Sequence, residues 1–359
     1  MTETPARRLL LLSDGPSAHT AKWAGEFARR GWDVHVGSLR DVDIPGATVH
    51  ALARSPAGPA RYLEAAGRAR ALAARLRPDI VHAHYASSYG FFGAVAGRRP
   101  LVVTLWGSDG YEFPRRGPAQ AALFRWSLAR ADALTAVCRD LAAAAEPFAP
   151  GREVAVIPFG VDLDRFSPAP APPAGSELVV GCLKPLEPVY GHGDLLAALA
   201  TLRGRRPDLA VRLRLAGAGY LRADLEALAA RLGLADRVEF LGRLPADDVP
   251  AFYRGLHCFV LASLSEGLAV AAEEAAACGL PIVATRVGGN PEIVRDGETG
   301  TLVPPRDPQA LSRALEDLLG HPERRSEYGR RAREWAAAHF ELRACGDRFA
   351  ALYARLTGQ

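Results

Sequence analysis

This 359-residue chain lacks the features of export, of metal chemistry and of nucleic-acid binding. No apolar run approaches the roughly 18–20 residues that cross a bilayer. Leu9–Leu12, behind Arg7 and Arg8, is too short for a signal-peptide core, so neither a spanning segment nor a leader is expected. The five cysteines (Cys138, Cys182, Cys258, Cys278, Cys345) lie 20 to 76 residues apart without a C-x-x-C. That spacing argues against a disulfide scaffold or a zinc site and fits a reducing cytoplasm. Lysine occurs only as Lys22 and Lys184; the rest of the 44 basic residues are arginine. No basic run is interleaved with aromatic side chains, so no nucleic-acid partner is expected. Neither G-x-x-x-x-G-K-[ST] nor G-x-S-x-G occurs, and Gly217-Ala-Gly219-Tyr-Leu-Arg lacks the third small residue of a dinucleotide fingerprint.

What is present is a large apolar content, 49%, enough to build two cores. Short β-type runs alternate with Ala/Leu/Arg helical stretches. The expected strands are Arg8–Leu12, Asp33–Gly37, Ile80–His82, Leu101–Thr104, Ala133–Val137 and Val154–Ile157, then Leu178–Leu183, Val211–Ala216, Val238–Leu241, Cys258–Ala262 and Pro281–Thr285. Near-continuous apolar strands alternating with helices predict parallel sheets covered on both faces. Ser167–Gly175 (SPAPAPPAG) cannot continue a sheet and reads as a linker. The expected plan is a domain at 1–166, the linker at 167–175, a domain at 176–333 and a helical segment at 334–359. Split near residue 165, the first half carries 21 basic and 16 acidic residues and the second 23 and 24. An excess of five positive charges suits an anionic or membrane-attached partner, or is a solvated arginine-rich surface.

Doubly wound sheets bind ligands beyond the carboxyl ends of their strands. The richest strand end is SLSEGLAVAAEEAAACGLPIVATRVGGNPEIVRDGETGTLV, after Ala262. Glu266 stands in the loop, and a helix is expected from about Ala269, so the amides of Gly267, Leu268, Ala269 and Val270 form a candidate anion site. Glu274 falls a turn and a half into that helix. Alone, Glu266 reads as a loop residue and Glu274 as a helix-face residue. Lys184 directly follows a strand, where a compact ammonium suits phosphate oxygens.

The ordered run Glu266-x7-Glu274-Ala-Ala-Ala-Cys-Gly279, Gly288-Gly289, Glu292 and Asp296-Gly-Glu-Thr299-Gly300 resembles the donor-site signature of the family-4-type retaining glycosyltransferases of GT-B fold. Asp79-Ile-Val-His-Ala-His84, Thr104-Leu-Trp-Gly-Ser-Asp109, Ile157-Pro-Phe-Gly-Val-Asp162 and Val238-Glu-Phe-Leu-Gly242 extend the resemblance along nearly the whole chain. It implies two facing Rossmann-like domains, with a C-terminal helix returning to the first. It also implies a cytoplasmic enzyme, peripheral to the inner face of the membrane, that moves a sugar from a UDP- or GDP-linked donor to a glycolipid, polysaccharide or small-molecule acceptor with retention. No cofactor or metal is expected; Asp41-Val-Asp43 and Asp162-Leu-Asp164 read as turns.

In that resemblance Glu266 holds sugar hydroxyls, Glu274 the ribose, and Lys184 the diphosphate, with Gly15, Gly217 and the Gly267–Val270 amides near the phosphates. His19, His84, Trp106 and Asp109 are the acceptor-side candidates. Three positions depart from the pattern. Tyr190 stands where the family has a second cation, which makes Arg243 a candidate substitute. Ala269 replaces a glycine, and Trp106 replaces a histidine. Two other functions stay open: a nucleotide-sugar 2-epimerase, and a non-catalytic partner subunit of the same fold.

Overall fold

The structure, a computed structural model, describes residues 6–55, 58–171 and 177–358. Residues 172–175 of the expected linker lie outside them. The chain divides into two compact units, one running through Phe159 and resuming at Arg343, the other Gly160–Leu342.

The first unit holds a wholly parallel seven-stranded sheet: β1 (Arg8–Leu12), β2 (Asp33–Ser38), β3 (Thr48–Ala51), β4 (Ile80–His84), β5 (Leu101–Leu105), β6 (Ala133–Ala136) and β7 (Val154–Val156). Their spatial order is β3-β2-β1-β4-β5-β6-β7. β3 was not expected. It is a short edge strand whose residues are at most half-buried, so Thr48-Val-His-Ala51 carries no apolar run to announce it. Leu9–Leu12 are fully buried, as a strand covered on both faces requires.

The second unit holds a parallel six-stranded sheet: β8 (Leu178–Leu183), β9 (Val211–Ala216), β10 (Val238–Gly242), β11 (Cys258–Leu261), β12 (Ile282–Thr285) and β13 (Gly300–Val303), in the order β10-β9-β8-β11-β12-β13. β13, also unexpected, is the T-G-T-L-V end of the signature. Asp296 Oδ1 accepts from the Leu302 amide at 2.9 Å and Thr299 Oγ1 from the Arg295 amide at 2.8 Å. The D-G-x-T-G motif is thus the turn that launches an edge strand.

Glu334, where the terminal helical segment was expected to start, lies inside the helix Pro322–His339; a further helix, Leu342–Thr357, follows. The latter belongs to the first unit, where Phe349 packs on Trp23 and Tyr353 Oη lies 2.6 Å from His82 Nδ1. Both sheets have the 3-2-1-4-5-6 order of doubly wound folds. Each therefore has a switch point between its first and fourth strands, where neighbouring connections leave in opposite directions and open a crevice. In the first unit that point lies between β1 and β4, in the second between β8 and β11.

Candidate functional site

Across the switch point of the second unit, the residue after β8 meets the loop after β11. Lys184 Nζ lies 2.6 Å from Glu266 Oε1, with side chains only 12% and 8% exposed. Ser263 Oγ donates to the same oxygen at 2.7 Å. A largely buried ion pair costs about as much in desolvation as its attraction returns. Stability therefore does not account for it.

The loop carrying Lys184 is fixed by backbone bonds from Lys184 N to Ala216 O (3.0 Å) and Leu186 N to Ala218 O (3.1 Å). Gly217 (φ +141°) makes this approach feasible: a Cβ there would stand 2.0 Å from the Lys184 carbonyl oxygen. At Gly191 (φ +62°) a Cβ would collide with the Ala262 carbonyl at the same distance. Tyr190, instead of leaving vacant a second cation's place, lays its ring 5.0 Å from Lys184 Nζ. His192 Nε2 lies 2.8 Å from the Pro185 carbonyl, which fixes that nitrogen as the donor; burial keeps the ring's pKa lowered.

The Glu266 loop is braced from β12 and the G-G motif. Thr285 Oγ1 donates to Ser263 O at 2.5 Å, Asn290 Nδ2 to Thr285 O at 2.9 Å, and Gly289 N to Gly267 O at 2.8 Å. The helix starts at Val270, with Ala269 as its N-cap at φ −77°. That is backbone any residue adopts, so the extra methyl of Ala269 brings no strain. Leu268 and Ala269 are buried. Glu274 is half-buried, and Tyr253 Oη donates to its Oε2 at 3.0 Å. Arg243 is exposed beyond β10.

The acceptor-side candidates gather in the first unit, in a different setting. His84 is buried, with Nδ1 2.9 Å from Ser13 Oγ, and burial takes its pKa down to about 3. Such a ring stays neutral and is a poor proton acceptor. Trp106 is buried against His84 (ring centroids 4.5 Å), Phe159 and His19, not opened as a platform. Asp109 is buried and accepts from the amides of Ala86, Trp106 and Gly107 at 2.8–3.0 Å; burial raises its pKa. Its geometry is that of a turn. His19 stacks on Phe159 at 4.4 Å. The Gly15 amide donates to Ser38 Oγ at 2.9 Å, and packing against Val42 already accounts for a glycine there. Asp162 Oδ1 accepts from the Asp164 and Arg165 amides, closing the second D-x-D into a turn.

The sequence did not single out Ser263, Tyr253 or Gly191. Ser263 is three residues before Glu266 at a strand end, a signal that was available. Tyr253 acts from another helix, which spacing along the chain does not reveal.

The second unit thus places a largely buried cation–carboxylate pair at the switch point of a doubly wound sheet, where such folds take their ligands. Residues 165–335 match the family described as glycosyl transferases group 1, and residues 8–138 match glycosyl transferase 4-like proteins. The chain is 39% identical over 277 residues to the GDP-mannose-dependent alpha-(1-6)-phosphatidylinositol monomannoside mannosyltransferase of Mycolicibacterium smegmatis, covering 72% of this chain and 70% of that one. It is 38% identical over 205 residues to D-inositol 3-phosphate glycosyltransferase 2 of Catenulispora acidiphila, covering 52% of this chain and about half, 47%, of the relative. The fold is shared with sucrose-phosphate synthase from Thermosynechococcus elongatus (TM-score 0.85, 23% identity, 98% and 99% of the two chains). It is shared too with Anabaena HepE in complex with UDP and glucose (TM-score 0.83, 22% identity, 98% and 100%). The chain belongs to the group 1, family-4-type glycosyltransferases of GT-B fold.

Proposed function

We propose that the second unit binds a nucleoside-diphosphate sugar beyond the ends of β8 and β11, and that the sugar passes with retention to an anionic acceptor. The observation that carries this is the Lys184–Glu266 pair at the switch point. As the glycosidic bond to the diphosphate breaks, negative charge grows on the leaving group. Lys184 and the amides at the start of the Val270–Ala277 helix stabilise that charge from preorganised positions. Glu266, aimed by Ser263, receives sugar hydroxyls; Glu274 receives the ribose. Gly217 keeps the Lys184 loop in place, and Arg243 is the candidate second cation for the diphosphate.

GDP-mannose is the first donor to test, since the relative named for it is far more similar in sequence than the UDP-bound structure. Both relatives' names carry an inositol phosphate acceptor, which supports an anionic acceptor for the basic first unit, with His19 as its contact. Among the described residues no helix is long and apolar enough to cross a membrane. The helix Pro59–Leu76 instead exposes Tyr62 (45%) and Leu63 (70%), and Leu63 and Arg70, seven residues apart, share one face. We assign this face to the inner membrane surface. Arg68, Arg99 and Arg116 are spent on Glu64, Asp132 and Glu112.

Purified protein titrated calorimetrically with GDP and UDP, then incubated with GDP-mannose or UDP-glucose and phosphatidylinositol vesicles, tests the whole. Expected are nucleoside diphosphate binding, nucleotide release that needs the vesicles, and a glycosylated lipid. Release without any acceptor would favour the epimerase, and binding without turnover the partner subunit. Flotation with the same vesicles should fall when Leu63 and Arg70 are both changed to Ser.

A further inference from the structure

Tyr253 is a fully buried tyrosine in the helix Val249–Arg254, between Phe252, Phe259 and Phe166, and no step of the transfer uses it. A buried phenol must place its proton, because an unsatisfied hydroxyl in a core is costly. Here both oxygens within reach can only accept: the Ala271 carbonyl and Glu274 Oε2, each at 3.0 Å. The single phenolic proton is therefore shared between the two acceptors in a three-centre bond. The carbonyl belongs to the same helix as Glu274, one turn earlier. The phenol thus grips the backbone and the carboxylate of one turn together. We infer that Tyr253 is a positioning residue for donor recognition: it holds Oε2 of Glu274 and so fixes the plane of the carboxylate that receives a ribose hydroxyl.

This rests on the assignment of Glu274 to ribose. Without the phenol, the half-buried carboxylate loses one of its fixed partners and gains rotamer freedom, and restricting that freedom again on binding consumes affinity. With it, that ordering is already built into the fold. The consequence is specific to the sugar of the nucleotide. Losing the grip should erode the preference for ribose over a ribose lacking its hydroxyls, while diphosphate and base contacts persist.

The test is calorimetric titration of GDP against 2′,3′-dideoxy-GDP, and of UDP against 2′,3′-dideoxy-UDP, in four proteins: the parent, Tyr253→Phe, Glu274→Ala and the double variant. A hydrogen bond to a carboxylate predicts a parent preference for ribose of about 10- to 100-fold. In Tyr253→Phe that preference should fall to a few-fold, with dideoxynucleotide affinity unchanged. In the Glu274→Ala background the tyrosine change should do nothing further. Equal loss for both nucleotides, or an undiminished preference in Tyr253→Phe, overturns the positioning role. No preference in the parent overturns the ribose assignment instead. Melting curves establish that each variant is folded, and Tyr253→Leu, which also lacks the hydroxyl, repeats the test should Phe not pack.

Discussion

The first and second sheets have the same strand order, yet their switch points are filled by opposite chemistry. Between β1 and β4 the buried contacts are neutral, with His84 on Ser13, Ser13 Oγ 2.7 Å from Thr20 Oγ1, and Trp106 stacked on the imidazole, while the Asp14–Arg40 pair beyond β1 is more exposed. Between β8 and β11 the crevice is closed by a cation and an anion. Burial acts on both, with different results. An imidazole can give up its proton, and His84 does so, its pKa pushed down to about 3. Lys184 and Glu266 answer burial by pairing. The topology thus supplies a crevice twice; the side chains at the strand ends decide which one can meet a charged ligand.

The largest expected effect lies at that pair. Lys184→Met should weaken nucleoside diphosphate binding by about 10- to 100-fold, as loss of a charge-assisted hydrogen bond worth roughly 1.5–3 kcal/mol implies. Turnover should fall further, because the leaving group carries more charge in the transition state than in the bound donor. His84→Gln, at the equivalent place in the first unit, should leave diphosphate affinity unchanged. Equal losses in calorimetry would erase the distinction between the two crevices. Glu266→Gln sharpens it from the other side. Turnover should drop by about 100-fold or more, while the bare diphosphate binds as well as before or better, since Lys184 is released from its competitor.

How much of this was legible in the sequence follows from what neighbours along the chain can reveal. Strands buried on both faces announce themselves as apolar runs, so eleven of the thirteen strands were expected. Thr48–Ala51 was not, because its residues are at most half-buried and carry no apolar run, and Gly300–Val303 was not, because its apolar part is only Leu302-Val303, too short to be patterned although three of its four residues are buried. Lys184 and Glu266 were found separately, each as the charged residue after a strand. Their contact depends on which strands are adjacent, and β8 and β11 are neighbours only in space. The same holds for Tyr190, which along the chain looks like a lost cation and in the fold is the surface under Lys184. Asp109 and His84 show the reverse: polar residues at strand ends that spend their polarity on local turns and buried hydrogen bonds.

Acid separates the two crevices by stability. His84 and His82 are buried neutral, both with pKa values lowered below the ordinary imidazole value by burial. Between about pH 6.5 and His84's folded value near 3, the unfolded chain binds protons that the folded one does not. Stability of the first unit is therefore intact above about pH 6.5 and falls as pH drops, by up to about 1.4 kcal/mol per pH unit for each such histidine. Four of the five tryptophans, Trp23, Trp32, Trp106 and Trp126, lie in this unit, so tryptophan fluorescence follows it. Its thermal midpoint should drop between pH 6.5 and 5, and less so in His84→Gln. An acid-insensitive midpoint would mean that these rings are not buried as described.

The smallest effect concerns Tyr190, and it asks how finely the charged crevice is tuned. The ring lies 5.0 Å from Lys184 Nζ, within cation–π range. At roughly 0.5–1 kcal/mol, that contact is worth a two- to fivefold change in affinity. Its direction depends on whether the ring holds the ammonium where a diphosphate needs it. If so, Tyr190→Leu should weaken GDP and UDP binding by that factor, and Tyr190→Phe, which keeps the π face, should not. Tyr190→Lys sets one ammonium against another: the free protein should melt earlier through like-charge repulsion, and a diphosphate should relieve it, giving tighter binding with a larger ligand-induced rise in melting temperature. Should Phe prove as damaging as Leu, the ring face is not what matters, and the phenolic oxygen must act in its place.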